Sequence, residues 1–384
     1  MNAIADYRNF PLISPLNSAQ IAPGGITVTW ADGRVSPFHN LWLRDNCPCS
    51  ECVYSVTREQ VFQVADVPED IQLQAVAIAA DGRLSLHWDD GHASTFDPGW
   101  LRAHAYDPQS LAERDAAKPR KQRWLAALAL PVFDYHAVMH DDSALLQWLL
   151  AVRDIGLTQL QGVPTEPGTL LGLAKRISFV RESNFGVLFD VRSKADADSN
   201  AYTAFNLPLH TDLPTRELQP GLQFLHCLVN DAAGGENTFV DGFAIAETLR
   251  VEAPHAYRML CQTPVEFRNK DRHSDYRCTA PVIALDCQDE VQEIRLANFL
   301  RAPLQLPADV MPDYYLAYRR FMQMTREPRF RVTQRLQAGQ LWCFDNRRVL
   351  HAREAFDPAS GARHFQGCYV DRDELLSRVL VLQR

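Results

Sequence analysis

A chain of 384 residues is longer than one small core requires, and at about 100 to 200 residues per domain it predicts two domains. Its composition, 46% hydrophobic, 22% charged and 10% aromatic, is that of a globular protein, and no apolar run reaches the roughly 18 residues a bilayer would need, which excludes a spanning protein. A formal net charge of −8 offers no basic footprint for nucleic acid.

The first stretch, Met1 to Pro15, carries Asp6 close to Arg8 and lacks the basic-then-apolar pattern of a secretory signal, so a cytoplasmic location is expected. A self-similar segment follows. Trp30-Ala-Asp32-Gly33-Arg34-Val-Ser36-Pro-Phe38, then Trp42-Leu43-Arg44, recurs without gaps as Trp88-Asp-Asp90-Gly91-His92-Ala-Ser94-Thr-Phe96, then Trp100-Leu101-Arg102. Asp-Gly flanked by alternating apolar residues predicts a β-hairpin in each copy. Residues 1–108 therefore read as a small β-rich domain.

Nine cysteines in such a chain are better read as thiols or metal ligands than as disulfides. Three are bunched: Cys47-Pro-Cys49-Ser-Glu-Cys52, a spacing that lets thiolates wrap one ion. Structural zinc takes four ligands. The repeat suggests the fourth, because His92 occupies the hairpin position that holds Arg34 in the first copy; His87 and His104 are rivals. A closed Cys3His zinc site would support a domain short of core.

Residues 109–129, with Lys118, Arg120, Lys121 and Arg123, are expected to form a solvated linker helix. From 130 to 384 helices flank strands. Ser143 to Ile155, Pro167 to Phe179 and Tyr314 to Met324 have helical periodicity, whereas Gly221 to Val229 and Gln340 to Phe344 suit buried strands. A β-barrel or sandwich core packed against helices, mainly β in an α+β chain, is predicted.

Leu209-His210-Thr211-Asp212 sets a histidine and a carboxylate on one side of an extended segment, and His351 follows later in Phe344-Asp-Asn-Arg-Arg-Val-Leu-His351. Two histidines and one carboxylate form the ligand set of non-haem Fe(II) oxygenases. The open positions would take two oxygens of 2-oxoglutarate and then O2. Arg363 is the candidate partner for the far carboxylate, since a guanidinium binds carboxylates bidentately. A jelly-roll protein that binds metal without catalysis is the competing reading; it would lack Arg363.

These motifs, with Trp42-Leu-Arg-Asp-Asn-Cys47, Gly234-Gly235-Glu-Asn237, Val240-Asp-Gly-Phe and Gly367-Cys-Tyr369, resemble the γ-butyrobetaine and trimethyllysine dioxygenase family within the taurine-dioxygenase-like oxygenases. The resemblance covers nearly the whole chain. It implies a double-stranded β-helix (jelly-roll) catalytic domain, a zinc-binding N-terminal domain, a homodimer, and stimulation by ascorbate. By the same resemblance Asn237 lies near the co-substrate, and Phe185, Phe189, Tyr202 and Tyr369 form an aromatic box for a trimethylammonium group, as ring faces attract a permanent cation. The substrate's anionic end would meet Ser199 and Ala297, or Asn200 and Asn298 one residue on. γ-Butyrobetaine, converted to carnitine, is the expected substrate; the alternative is 2-trimethylammonioethylphosphonate hydroxylated at C1, with Arg272, Arg295 or Arg301 supplying charge.

Overall fold

The computed structural model describes residues 8–192 and 203–384. The chain divides into two compact units, one ending at Pro119 and the other running from Arg120 to Gln383.

In the first unit each repeat is a three-stranded antiparallel sheet. β1 (Leu16–Ala22), β2 (Gly25–Trp30) and β3 (Val35–His39) form the first, followed by α1 (Asn40–Asp45); β4 (Leu73–Ile78), β5 (Leu84–Trp88) and β6 (Ala93–Phe96) form the second, followed by α2 (Pro98–Ala103). The Asp-Gly turns close both hairpins, with Gly33 and Gly91 at positive φ as such turns require. Alternation sends Ile26, Val28 and Trp30 inward against Leu84, Leu86 and Trp88. Each indole N–H donates to the serine of its own copy, Trp30 to Ser36 at 3.0 Å and Trp88 to Ser94 at 2.9 Å. Ion pairs are exchanged between copies: Arg44 lies 3.4 Å from Asp90, and Arg102 lies 2.7 Å from Asp32. α3 (Pro108–Ala116) ends well before the expected Ala129. Lys118 precedes Pro119, whose ring disfavours helical geometry at the residue before it.

The second unit opens with β7 (Val132–Asp134), α4 (Tyr135–His140), α5 (Asp142–Ile155), β8 (Leu157–Gln161), α6 (Thr169–Ile177), β9 (Phe189–Val191) and β10 (Leu207–His210). Next come β11 (Leu222–Asn230), β12 (Ala233–Gly234), β13 (Asn237–Asp241), α7 (Gly242–Glu252), α8 (Pro254–Gln262), β14 (Val265–Lys270), β15 (Asp275–Ala280), β16 (Ile283–Leu285), β17 (Val291–Ile294) and α9 (Met311–Met324). It closes with β18 (Arg331–Gln334), β19 (Leu341–Asp345), β20 (Val349–Arg353), β21 (Phe356–Asp357), β22 (Arg363–Val370) and α10 (Arg372–Leu382).

Two sheets carry the site. One has the order β7-β8-β19-β11-β22-β9, the other β10-β20-β13-β18. Period-2 alternation gives each sheet two apolar faces. Leu222 and Phe224 of β11, Leu341 and Cys343 of β19 and Cys368 and Val370 of β22 pack on α5, α6 and α10. The intervening residues Cys227, Trp342, Phe344 and Phe365 meet Phe239 and Val349 of the smaller sheet. The outer face of that smaller sheet, with Val240 and Leu350, is covered by α7, α8 and α9. This is the expected jelly roll with helices outside. Among the described residues no helix is long and apolar enough to cross a membrane.

One ion pair inside this unit is wholly buried. Arg348 donates from Nε and Nη2 to Asp241 at 3.0 and 2.7 Å and from Nη1 to the Asp154 carbonyl at 2.9 Å. Asp241 also accepts the backbone N–H groups of Trp124 and Phe243, the latter at the start of α7. Asp241 thus accepts four hydrogen bonds, two on each oxygen, the kind of satisfaction a buried charge pair needs to be tolerated.

Candidate active site and metal centres

β10 and β20 are antiparallel neighbours, and their register sets His210 directly opposite His351. The imidazole centroids are 4.2 Å apart. Asp212 lies just beyond β10, in a turn that places Leu213 at φ 52°, an uncommon conformation for a residue with a branched side chain. The turn is held by Asn346, whose Oδ1 accepts the Asp212 N–H at 2.7 Å and whose Nδ2 donates to the Asp212 carbonyl at 3.0 Å. Asp212 Oδ1 then sits 3.1 Å from His210 Nε2 and 3.5 Å from His351 Nε2. Burial alone would raise the Asp212 carboxyl, but the adjoining His351 and His210 outweigh it and hold it well below the usual carboxylate range. Burial, reinforced by His210, pushes His351 down toward the neutral form.

The Pro208 carbonyl accepts from His210 Nδ1 at 2.8 Å, so the proton is on Nδ1 and the Nε2 lone pair faces the cluster. Three donor atoms thus converge within 4.8 Å. A two-histidine, one-carboxylate set of this kind, open on one side, fits iron(II).

That open side faces a cavity of about 520 Å³. Arg363, first residue of β22, enters it from the far wall. Its guanidinium lies 4.9 and 4.1 Å from the rings of Phe356 and Phe365, and its Nε and Nη1 are buried with no partner among the described residues. Burial, then the neighbouring Arg353, draws its pKa down to about 9. A guanidinium so placed calls for an anion, and the far carboxylate of a dicarboxylic acid chelating the metal supplies one. Asn237, on β13 beside β20, faces the same space. Gly235, at φ 75°, lets the backbone pass Arg363; a Cβ there would stand 3.3 Å from Nε.

Three of the four aromatic residues assigned to the box come together. Phe185 and Phe189 are 6.1 Å apart and Phe189 and Tyr369 are 5.1 Å apart, and all three line the cavity. Gly367 makes room for Phe189, whose ring a Cβ would meet at 2.4 Å. The Tyr369 hydroxyl donates to Asp212 Oδ2 at 2.6 Å. Tyr202, Ser199 and Asn200 lie outside the described residues.

Asn298 is exposed and accepts from the Tyr318 hydroxyl at 3.3 Å; the cavity wall is made by its neighbours Phe299 and Leu300 instead. None of the three arginines considered for a phosphonate lines the cavity. Arg295 is committed to Glu293 and to the carbonyls of Pro214, Arg216 and Glu217, while Arg301 rests over Tyr318. Sequence reasoning missed Arg353, Asn184, Asn269 and Asn346. The Asn346 clamp was hidden inside a quoted motif and Arg353 follows His351 by two on the same face of β20; Asn184 and Asn269 sit in a loop and a hairpin strand without period or spacing to mark them.

In the first unit His92 Nε2 stands 3.3, 3.6 and 3.7 Å from the sulfurs of Cys47, Cys49 and Cys52. A tetrahedral zinc with typical bond lengths sets its S···N separations at about 3.5 Å, so the four donors fit that ion. Burial pushes the Cys47 thiol up to about 12 and draws His92 down, leaving a neutral imidazole suited to ligation. Of the rivals, His87 is exposed, and His104 is stacked on Trp100 with its Nδ1 on the Trp100 carbonyl.

A jelly roll with a His-Asp-His cluster opening on a cavity with a buried guanidinium defines the class of non-haem iron oxygenases. The chain matches the Taurine catabolism dioxygenase TauD, TfdA family over residues 117–369 and the Gamma-butyrobetaine hydroxylase-like, N-terminal family over residues 20–104. It is 82% identical over 383 residues to a gamma-butyrobetaine dioxygenase of Pseudomonas sp. (strain AK-1), covering 100% of both chains. It is 30% identical over 366 residues to the Homo sapiens gamma-butyrobetaine dioxygenase, covering 93% of this chain and 94% of that one, and 30% identical to the mitochondrial trimethyllysine dioxygenase of Rattus norvegicus, covering 91% and 83%. The chain belongs to the TauD, TfdA dioxygenase family. It is an oxidoreductase dependent on iron(II) and 2-oxoglutarate.

Proposed function

We propose that the protein hydroxylates γ-butyrobetaine to carnitine, with O2 and 2-oxoglutarate consumed and succinate and CO2 released. The observation that carries this is the 82% identity, over the full length of both chains, to a gamma-butyrobetaine dioxygenase. His210, Asp212 and His351 would hold iron(II), which when bound activates O2 for insertion into a substrate C–H bond. Arg363 takes the far carboxylate of 2-oxoglutarate, with Asn237 beside it. Phe185, Phe189 and Tyr369 surround the trimethylammonium group, which presents no hydrogen-bond donor and is attracted by ring faces; Tyr202, the fourth residue the family resemblance assigns, lies outside the described residues. Leu207, Leu225 and Leu336 add apolar stretches to the wall that exclude water there. Cys47, Cys49, Cys52 and His92 bind a structural zinc in a domain of residues 1–108, joined through 109–129 to an oxygenase domain of residues 130–384. A cytoplasmic homodimer is the form the family resemblance suggests; sedimentation of the purified chain tests it.

The phosphonate is disfavoured by the commitments of Arg295 and by the absence of Arg272 and Arg301 from the cavity wall. Succinate release measured over γ-butyrobetaine, trimethyllysine and 2-trimethylammonioethylphosphonate tests the assignment. γ-Butyrobetaine is expected to have the highest kcat/KM, with one carnitine per succinate, and His210→Ala to abolish that coupled turnover. A tenfold preference for either other compound would overturn the substrate.

A further inference from the structure

Arg363 is the first residue of β22 and pairs in register with Asn230, the last residue of β11. From Asn230 the chain turns through residues 231–236 into β13, and Arg363 lies against this connection. Gly235 marks the close approach, a Cβ there standing 3.3 Å from Arg363 Nε. The turn also packs on the residues that lead into β22. The N–H groups of Asp231 and Ala232 donate to the Ala362 carbonyl at 2.8 and 3.3 Å, and a Cβ on Gly361 would meet the Asp231 backbone at 2.7 Å. The position of Arg363 therefore follows the position of the turn.

The turn has little regular pairing of its own: β12 is two residues long, and Gly234 and Gly235 stand at φ 82° and 75°. Its carbonyls at Asn230, Ala232 and Gly234 are instead collected by one side chain. Arg335, the residue after β18, donates from Nη2 to the carbonyls of Asn230 and Ala232 at 2.9 and 2.5 Å and from Nη1 to that of Gly234 at 2.9 Å. Asn230 in turn donates from Nδ2 to the carbonyl of Leu336 at 2.6 Å, and Leu336 lines the cavity. The planar fork of a guanidinium can span three carbonyls in this way, whereas an ammonium is a single compact charge.

Arg335 meets carbonyls rather than a carboxylate, and its charge opposes that of nearby Arg363. Two like charges held together are unfavourable until an anion joins them, so the arrangement is accounted for by what binds at Arg363 rather than by stability. We propose that Arg335 is a positioning residue for the co-substrate: by drawing three carbonyls together it seats the turn, and through the turn it holds Arg363 where the far carboxylate of 2-oxoglutarate arrives. Arg335 does not line the cavity and acts through Arg363 alone. This rests on the assignment of that carboxylate to Arg363.

Kd is measured by calorimetry on the iron-loaded protein with oxygen excluded, for 2-oxoglutarate and for 2-oxovalerate, which keeps the carbon chain and the chelating end and lacks the far carboxylate. KM for γ-butyrobetaine at saturating 2-oxoglutarate is measured alongside, in wild type, Arg335→Gln, Arg335→Lys and Arg363→Met. Both Arg335 variants are expected to raise Kd for 2-oxoglutarate about tenfold, while Kd for 2-oxovalerate and KM for γ-butyrobetaine stay within about twofold. A general loosening of the fold would weaken both acids alike. Lysine keeps the charge without the fork, so a wild-type Kd in Arg335→Lys overturns the positioning role, as does an unchanged Kd in Arg335→Gln or an equal rise for the two acids. If Arg363→Met binds 2-oxoglutarate as tightly as wild type, the assignment to Arg363 falls first; if Arg363→Met is impaired and the Arg335 variants are not, the positioning role alone falls.

Discussion

Tyr369 belongs to two parts of the site at once, with its ring beside Phe189 and its hydroxyl on the Asp212 oxygen that faces away from the histidines. Tyr369→Phe keeps the ring and removes a hydrogen bond to a charged group, an interaction of about 1.5 to 3 kcal/mol; kcat is expected to fall about tenfold or more with little change in substrate KM. Tyr369→Leu removes the ring as well, and there KM should rise about tenfold, in line with the 1 to 2 kcal/mol or so of a desolvated cation–ring contact. Arg363→Met should raise KM for 2-oxoglutarate about a hundredfold, because its unpartnered nitrogens await that anion. His226 offers a test of stability. It is fully buried on β11 with neither ring nitrogen bonded among the described residues, and burial lowers its pKa to about 4. A depressed folded-state value means the stabilisation is complete above the unfolded value near 6.5 and is lost as pH falls toward 4, by at most about 3 kcal/mol. Thermal melts of wild type should therefore drop more steeply between pH 6.5 and 4.5 than those of His226→Met. The His210–Asp212–His351 cluster, the buried Arg363 and the Cys47–Cys49–Cys52–His92 cluster were legible as groupings in the sequence because each pairs a scarce chemistry with a spacing that secondary structure can satisfy. Asn184 was not: a single amide in a loop has no pattern until a neighbour such as Arg216 orients it.

At the scale of elements, strict alternation explains how β11, β19, β20 and β22 serve a core and a site together. Residues of one parity pack under the helices, and those of the other carry His351, Arg353, Arg363, Phe365 and Tyr369 inward. The Asp-Gly hairpins and the helices α5, α6 and α9 were readable from period and turn chemistry. The third strand of each N-terminal sheet was not, since β1 and β4 are edge strands with partly exposed apolar residues and blurred alternation. The linker helix was overextended because charge pattern alone carries no stop signal, whereas Pro119 does. Two changes test the elements. Asp241→Asn leaves Arg348 buried beside a neutral partner and should cost about 3 to 5 kcal/mol, seen as a lower denaturation midpoint with unchanged KM values. Gly367→Ala drives a methyl into Phe189 and should raise substrate KM while leaving KM for 2-oxoglutarate within about twofold.

For the whole molecule, the two clusters predict one zinc and one iron per chain, bound independently. Metal analysis of His210→Ala should show zinc retained and iron lost; Cys47→Ser should show the reverse, with the first unit melting at lower temperature. The repeat in that first unit has a further meaning. The turn residue of the second copy, His92, reaches the segment after α1, and the equivalent residue of the first copy, Arg34, reaches the segment after α2, where Nη1 donates to Glu113 at 2.8 Å and to Ser110 at 3.3 Å. With Arg44 on Asp90 and Arg102 on Asp32, the arrangement is that of a symmetric pair folded into one chain. Its two equivalent junctions carry different chemistry, one a cluster of metal-binding side chains and the other an ion pair, so chelators and salt should loosen opposite ends of the same small domain.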